Sequence, residues 1–114
     1  MYAYLTLHTG SRKDRNYLLK EGPENRIGRG LDCSIVLSDP SSSRVHAVII
    51  HREGAWWVRD AESSNGTYVN GQKVDEAQLA EGCSLKTGAT EFTFHQSGTA
   101  PAELASADPT LTQT

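Results

Sequence analysis

Short alternating runs dominate the chain. In Tyr2–Leu7, Ala3, Leu5 and Leu7 fall on one face and Tyr2, Tyr4 and Thr6 on the other, the period of two of a half-buried β-strand. Residues 16–20, 26–28 and 34–37 are further short strand candidates. Residues 45–51 are rich in β-branched side chains and meet residues 56–59 across Glu53-Gly54, a turn signal. Residues 68–69 and Gln72–Val74 flank Asn70-Gly71, a two-residue hairpin cue because both central positions need positive φ. Ser84–Thr87 and residues 90–95 flank Gly88-Ala89 in the same way. The charged, small residues 11–15 suit a hairpin turn.

About ten short strands at close spacing, with almost no helical period, predict an all-β protein. The expected form is an antiparallel β-sandwich of about ten to eleven short strands with its binding loops at one end. The one helix candidate, residues 75–80, is too short to alter this. Trp56 and Trp57 are adjacent and therefore face opposite sides of a strand. One should fill the core and the other lie on the sheet surface.

The pattern stops after Gln96. Residues 1–96 form the predicted domain. Residues 97–114 are Ser, Gly, Thr, Ala and Pro with two acids and two isolated leucines, a composition that cannot offset its own chain entropy by burial. This reads as a disordered tail or linker stub. Fully stretched, it would span about 60 Å.

Composition then narrows the function. The 114 residues suit one domain, and 37% hydrophobic with 22% charged residues is ordinary for a modest core. A net charge of −3, from 11 Lys+Arg against 14 Asp+Glu, argues against nucleic acid as a partner while leaving room for one basic pocket. No run approaches the roughly 20 apolar residues of a membrane span, and the start lacks the features of a signal peptide. No membrane partner and a cytoplasmic location are the expectation. Cys33 and Cys83 have no metal-site spacing and read as two buried thiols. No metal and no cofactor are expected.

Three loops concentrate the chemistry: residues 27–30, residues 41–46 and residues 63–67, the last running on to Asn70-Gly71. Arginines supply permanently charged donors. Serine and threonine hydroxyls, an asparagine amide and glycine-permitted backbone N–H groups supply neutral ones. That set suits a dianionic phosphate with three free oxygens and needs no metal. Ser43, His46 and Asp60 could be drawn as a hydrolase triad, but no GxSxG elbow accompanies them, so the protein is not expected to be an enzyme. Arg12, Lys13 and Arg15 form a small basic cluster of the kind that is usually a solvated face.

Ile27-Gly28-Arg29, Ser43-Arg44-Val45-His46 and Ser64-Asn65-Gly66-Thr67-Tyr68-Val69-Asn70-Gly71 together resemble the signature of the forkhead-associated (FHA) domain family. Ser43 follows Arg29 by 14 positions, and Asn65 follows Ser43 by 22. The resemblance implies a phosphothreonine-binding β-sandwich that recruits partners phosphorylated by an upstream Ser/Thr kinase. It implies that Arg29 and Ser43 contact phosphate, that Arg44 reaches phosphate or peptide, and that Ser64 places a hydroxyl near the phosphothreonine. Asn65 would hold the peptide main chain, with Asn70 a further residue approaching the peptide. Gly28, His46 and Gly66 would support the loops. The family position that reads the third residue after the phosphothreonine falls on Ser41, which has no charge, so strong selection for an acid there is not evident. Thr110, with Gln113 three residues on, is the best tail phosphosite, and its phosphorylation would allow self-association. The alternative is a phosphate-independent assembly scaffold of the same fold, working through its sheet face.

Overall fold

The computed structural model describes residues 2–9 and 14–98. Among them are eleven strands: β1 (Tyr2–Leu7), β2 (Asn16–Leu18), β3 (Asn25–Gly28), β4 (Ile35–Val36), β5 (Ala47–Arg52), β6 (Ala55–Asp60), β7 (Thr67–Val69), β8 (Gln72–Val74), β9 (Glu76–Leu79), β10 (Ser84–Thr87) and β11 (Thr90–Ser97). They form a six-stranded sheet in the order β2-β1-β11-β10-β7-β8 and a five-stranded sheet in the order β4-β3-β5-β6-β9. Thr110, the rest of the proposed tail beyond Gly98, and Arg12 and Lys13 lie outside the described residues.

The two sheets pack face to face because their alternating positions agree. Leu5 stands opposite Phe94, and Leu85 opposite Phe92. All four are fully buried, as are Ile27, Ile49 and Val58 from the other sheet. Ala3, Leu5 and Leu7 are the buried face of β1, as the alternation requires. Burying each large apolar side chain contributes about 1.5–3 kcal/mol, and this shared layer fixes the strand ends from which the loops emerge. Two-residue turns set the hairpins. Asn70 and Gly71 have φ of 52° and 83°, and Glu53 and Gly54 have 54° and 77°, the pair of positive values a type I′ turn needs.

Three expectations are corrected. Residues 75–80 do not form a helix: Glu76–Leu79 is β9, antiparallel to β6 at the sheet edge. Leu79 points inward while Glu76 and Gln78 are exposed, a period of two that so short a run carries only weakly. The sandwich is not wholly antiparallel, because β3 and β4 pair in parallel, Ile27 with Ile35 and Gly28 with Val36. The chain achieves this by turning tightly at Gly30–Cys33, where the Cys33 N–H donates to the Gly30 carbonyl at 3.1 Å, and coming back alongside β3. Trp56 fills the core, but Trp57 is half-buried, not bare. The Arg52 guanidinium lies 4.8 Å from its ring centre, where the cation is attracted to the π face. Cys33 and Cys83 are both buried free thiols, as expected.

Candidate functional site

The loop after β3 is locked to the loop before β5. The Arg29 N–H donates to the Ser43 carbonyl at 3.0 Å, and the Gly30 N–H to the Arg44 carbonyl at 2.9 Å. Gly28 is required here by space. A Cβ on it would fall 2.2 Å from the Arg44 carbonyl oxygen, well inside van der Waals contact. The Cys33 thiol also faces that oxygen at 3.2 Å. Burial pushes the Cys33 pKa up, with the charge of Asp32 adding to it, so sulfur keeps its proton and can donate it.

His46 is fully buried and joins the second loop to the third. Its Nδ1 accepts from the Ser43 N–H at 3.1 Å, and its Nε2–H donates to the Gly66 carbonyl at 2.8 Å. Both ring nitrogens thus serve backbone groups, and neither is aimed at the Ser43 hydroxyl as a general base would be. Asp60 is also committed elsewhere. It accepts from the Ser63 N–H, the Ser63 hydroxyl and the Thr67 hydroxyl. Burial opposes its ionisation, but the hydrogen bonds from Ser63 and Thr67 outweigh that and hold its carboxyl below the ordinary range. The Ser63 hydroxyl in turn accepts from the Gly66 N–H at 2.9 Å. Residues 60–66 are therefore shaped from within, and Gly66 takes the positive φ of 87° that the turn demands.

Asp39 plays the same part for the second loop. It accepts from the Ser41 N–H and hydroxyl, the Ser42 hydroxyl, the Ala89 N–H and the Thr90 hydroxyl, at 2.6–3.1 Å. Burial again raises its pKa, and the bonds from Ser41, Ala89 and Thr90 more than reverse this, so the carboxyl lies well below the usual range. Through Asp39 the β10–β11 turn clamps the loop that carries Ser43. Gly88 in that turn has φ 67°, and a Cβ there would meet the Ser41 carbonyl at 2.8 Å. Sequence reasoning missed Asp39. The signal available was Asp39-Pro40-Ser41, in which an aspartate can accept from the N–H two residues on.

On this frame the exposed groups converge. Arg29 is exposed while its Nε donates to the Ser42 carbonyl, which holds the guanidinium and leaves both terminal amino groups without a partner among the described residues. The Ser43 hydroxyl oxygen accepts from the Ser64 N–H at 3.0 Å, leaving its own hydrogen as a donor. Ser64 and Arg44, the residue after Ser43, are both exposed. The Asn65 amide donates to the Ser41 carbonyl, and its Oδ1 has no partner among the described residues. The structure thus brings together Arg29, Ser43, Ser64 and Asn65, with exposed Arg44 next to Ser43 along the chain and Gly28, His46 and Gly66 beneath or between them. Asn70 stands apart, at the far end of three-residue β7. Its N–H donates to the Ser84 carbonyl at 3.0 Å and its Oδ1 accepts from the Ser84 N–H at 2.9 Å.

A two-sheet β-sandwich whose loops present fixed guanidinium and hydroxyl donors defines an anion-reading interaction domain. The FHA domain model matches residues 25–88, which spans all three loops, and the chain belongs to the FHA domain family. It is 37% identical over 92 residues to the glycogen accumulation regulator GarA of Mycolicibacterium smegmatis, covering 81% of this chain and 58% of that one. It is 39% identical over 88 residues to the FHA domain-containing protein FhaA of Mycobacterium tuberculosis, covering 77% of this chain and 16% of that one. The chain thus spans less than two thirds of these curated relatives. Among solved structures, one from a study of phosphothreonine-dependent FHA domain interactions superposes with a TM-score of 0.79 at 36% identity, covering 87% of this chain and all of that one. The FHA domain of FhaA, in complex with the intracellular domain of another protein, gives 0.75 at 39% identity, covering 82% of this chain and 99% of that one.

Proposed function

We propose that this domain is a phosphothreonine-dependent interaction module that recruits proteins phosphorylated by a Ser/Thr kinase and catalyses nothing itself. The observation that carries this reading is the pairing of Arg29 and Ser43. Each is held by an internal hydrogen bond that leaves its remaining donors facing outward. Donors fixed before the ligand arrives lose little entropy on binding. Charge-assisted bonds to a dianion contribute about 1.5–3 kcal/mol each. Two of them would separate a phosphopeptide from its plain form by roughly two to four powers of ten. Ser64 and Arg44 add donors at the rim, and Asn65 offers Oδ1 to a peptide N–H. The two ring nitrogens of His46 are used by Ser43 N–H and Gly66 carbonyl, which supports a bracing part for this residue and speaks against the triad.

The test is calorimetric titration of matched threonine, phosphothreonine and phosphoserine peptides. Saturable binding of the phosphothreonine form is expected. Arg29→Ala and Ser43→Ala should weaken it at least tenfold while their thermal unfolding stays cooperative. Equal affinity of wild type and Arg29→Ala across a phosphothreonine peptide panel would refute the proposal.

A further inference from the structure

The cations of this domain differ in how they are neutralised. On the outer face of the five-stranded sheet they are neutralised: Arg26 lies 3.7 Å from Glu24 and 3.8 Å from Asp32, Arg59 lies 3.7 Å from Glu24, and Arg52 lies 3.0 Å from Glu76. Beside the binding loops no such pairing occurs. Arg29, Arg44 and Lys73 have no carboxylate partner among the described residues, and neither do Arg15, Lys20 and Lys86. Lys73 belongs to β8, opposite Tyr68 of β7. Its methylene chain runs across the face of Gly66, so that a Cβ on Gly66 would fall 2.9 Å from Lys73 Cε and 3.4 Å from Cδ. The exposed ammonium, one bond beyond Cε, therefore stands next to Asn65-Gly66. Glu62, the exposed carboxylate of the same loop, forms no ion pair with it. Lys86, on the other side of Tyr68, sits over that ring at 5.9 Å.

We infer that Lys73 is a specificity-determining residue that reads an acidic side chain of the bound peptide flanking its phosphothreonine. The inference rests on the phosphothreonine reading above and adds a sequence preference to it. The peptide stretch that Asn65 holds by its main chain passes the glycine over which Lys73 lies. Gly66 has no side chain to screen the ammonium from that stretch. An aspartate or glutamate arriving there meets a charge with no competing partner and a stem already packed in place. An exposed pair of this kind changes affinity by about two- to fivefold.

An oriented phosphothreonine peptide library, screened against wild type, Lys73→Met, Lys73→Glu and Arg29→Ala, tests this. Wild type should enrich Asp and Glu two- to fivefold at one position flanking the phosphothreonine. Lys73→Met, which keeps the stem, should lose that enrichment. Lys73→Glu should enrich Lys or Arg at the same position, a gain that loss of packing cannot produce. An identical acidic preference in wild type and Lys73→Met, or no acidic preference in wild type, overturns the role of Lys73 alone. Wild type that ignores phosphate, or matches Arg29→Ala, overturns the phosphothreonine reading instead.

Discussion

Asp39→Asn measures how far the binding loop depends on one carboxylate. In the wild type two oxygens accept five hydrogen bonds, two on Oδ1 and three on Oδ2. An amide keeps only one acceptor oxygen. The hydroxyls of Ser41, Ser42 and Thr90 can turn to accept from the new NH2, but a backbone N–H cannot. Whichever way the amide lies, either the Ser41 N–H or the Ala89 N–H faces another donor. Losing the charge also weakens the bonds that survive. With about 1.5–3 kcal/mol for a bond to a charged group, the substitution should destabilise by about 2–3 kcal/mol at pH 7. The assay is urea unfolding, with the shift in midpoint taken at constant slope. The sign of the pH dependence follows from the depressed carboxyl. A group with a lowered folded pKa contributes stability above its unfolded value near 3.9, and that contribution is lost as pH falls toward the lower folded value. The gap between wild type and Asp39→Asn should therefore narrow below about pH 4, by up to about 1.4 kcal/mol per pH unit. Because Asp39 fixes residues 41–43, the variant should also bind phosphopeptide more weakly. A midpoint shift equivalent to less than about 0.5 kcal/mol at pH 7, or a gap that does not change between pH 6 and pH 3, would refute the reasoning.

Gly28→Ala places a methyl 2.2 Å from the Arg44 carbonyl oxygen, so β3 and the Arg44 segment must separate. The expected cost is about 1–3 kcal/mol with loss of phosphopeptide affinity, and calorimetry of the purified variant checks both. His46→Phe keeps the shape of the ring but strands the Ser43 N–H and the Gly66 carbonyl. At about 1–3 kcal/mol per buried unsatisfied group, denaturant unfolding should show a loss of about 2–6 kcal/mol. Gly71→Ala at φ 83° forces a side chain into the left-handed region at a cost of about 1–2 kcal/mol. Since this turn lies away from the loop cluster, its phosphopeptide affinity measured below the unfolding transition should stay within twofold of wild type.

What could be read from the residues alone has a physical boundary. Asn70-Gly71 and Glu53-Gly54 announced their turns because the required positive φ belongs to the residue type. The alternation of β1 announced its buried face because strand geometry is local. The phosphate-directed donors were legible for the same reason: an arginine flanked by glycines and a serine flanked by serine and arginine carry their chemistry wherever the loop goes. The strand at residues 76–79 and the parallel pairing of β4 were not legible, since four- and two-residue strands hold too few periods to separate strand from helix or parallel from antiparallel. Asp39 was half legible. Its bonds to Ser41 and Ser42 are local, but those to Ala89 and Thr90 span fifty positions or more and exist only once β10 and β11 close over the loop. Lys73 was not legible at all, because nothing in Gln72-Lys73-Val74 distinguishes it from a solvated lysine. Its relation to Gly66 arises from the cross-strand register of β7 and β8, and that register puts Tyr68, not a carboxylate, opposite it on the neighbouring strand. Chemistry that resides in a residue type survives reading one chain, whereas the neutralisation of a charge is decided by strand order. For this domain the first supplies the phosphate donors, and the second leaves an unpaired cation beside the peptide path.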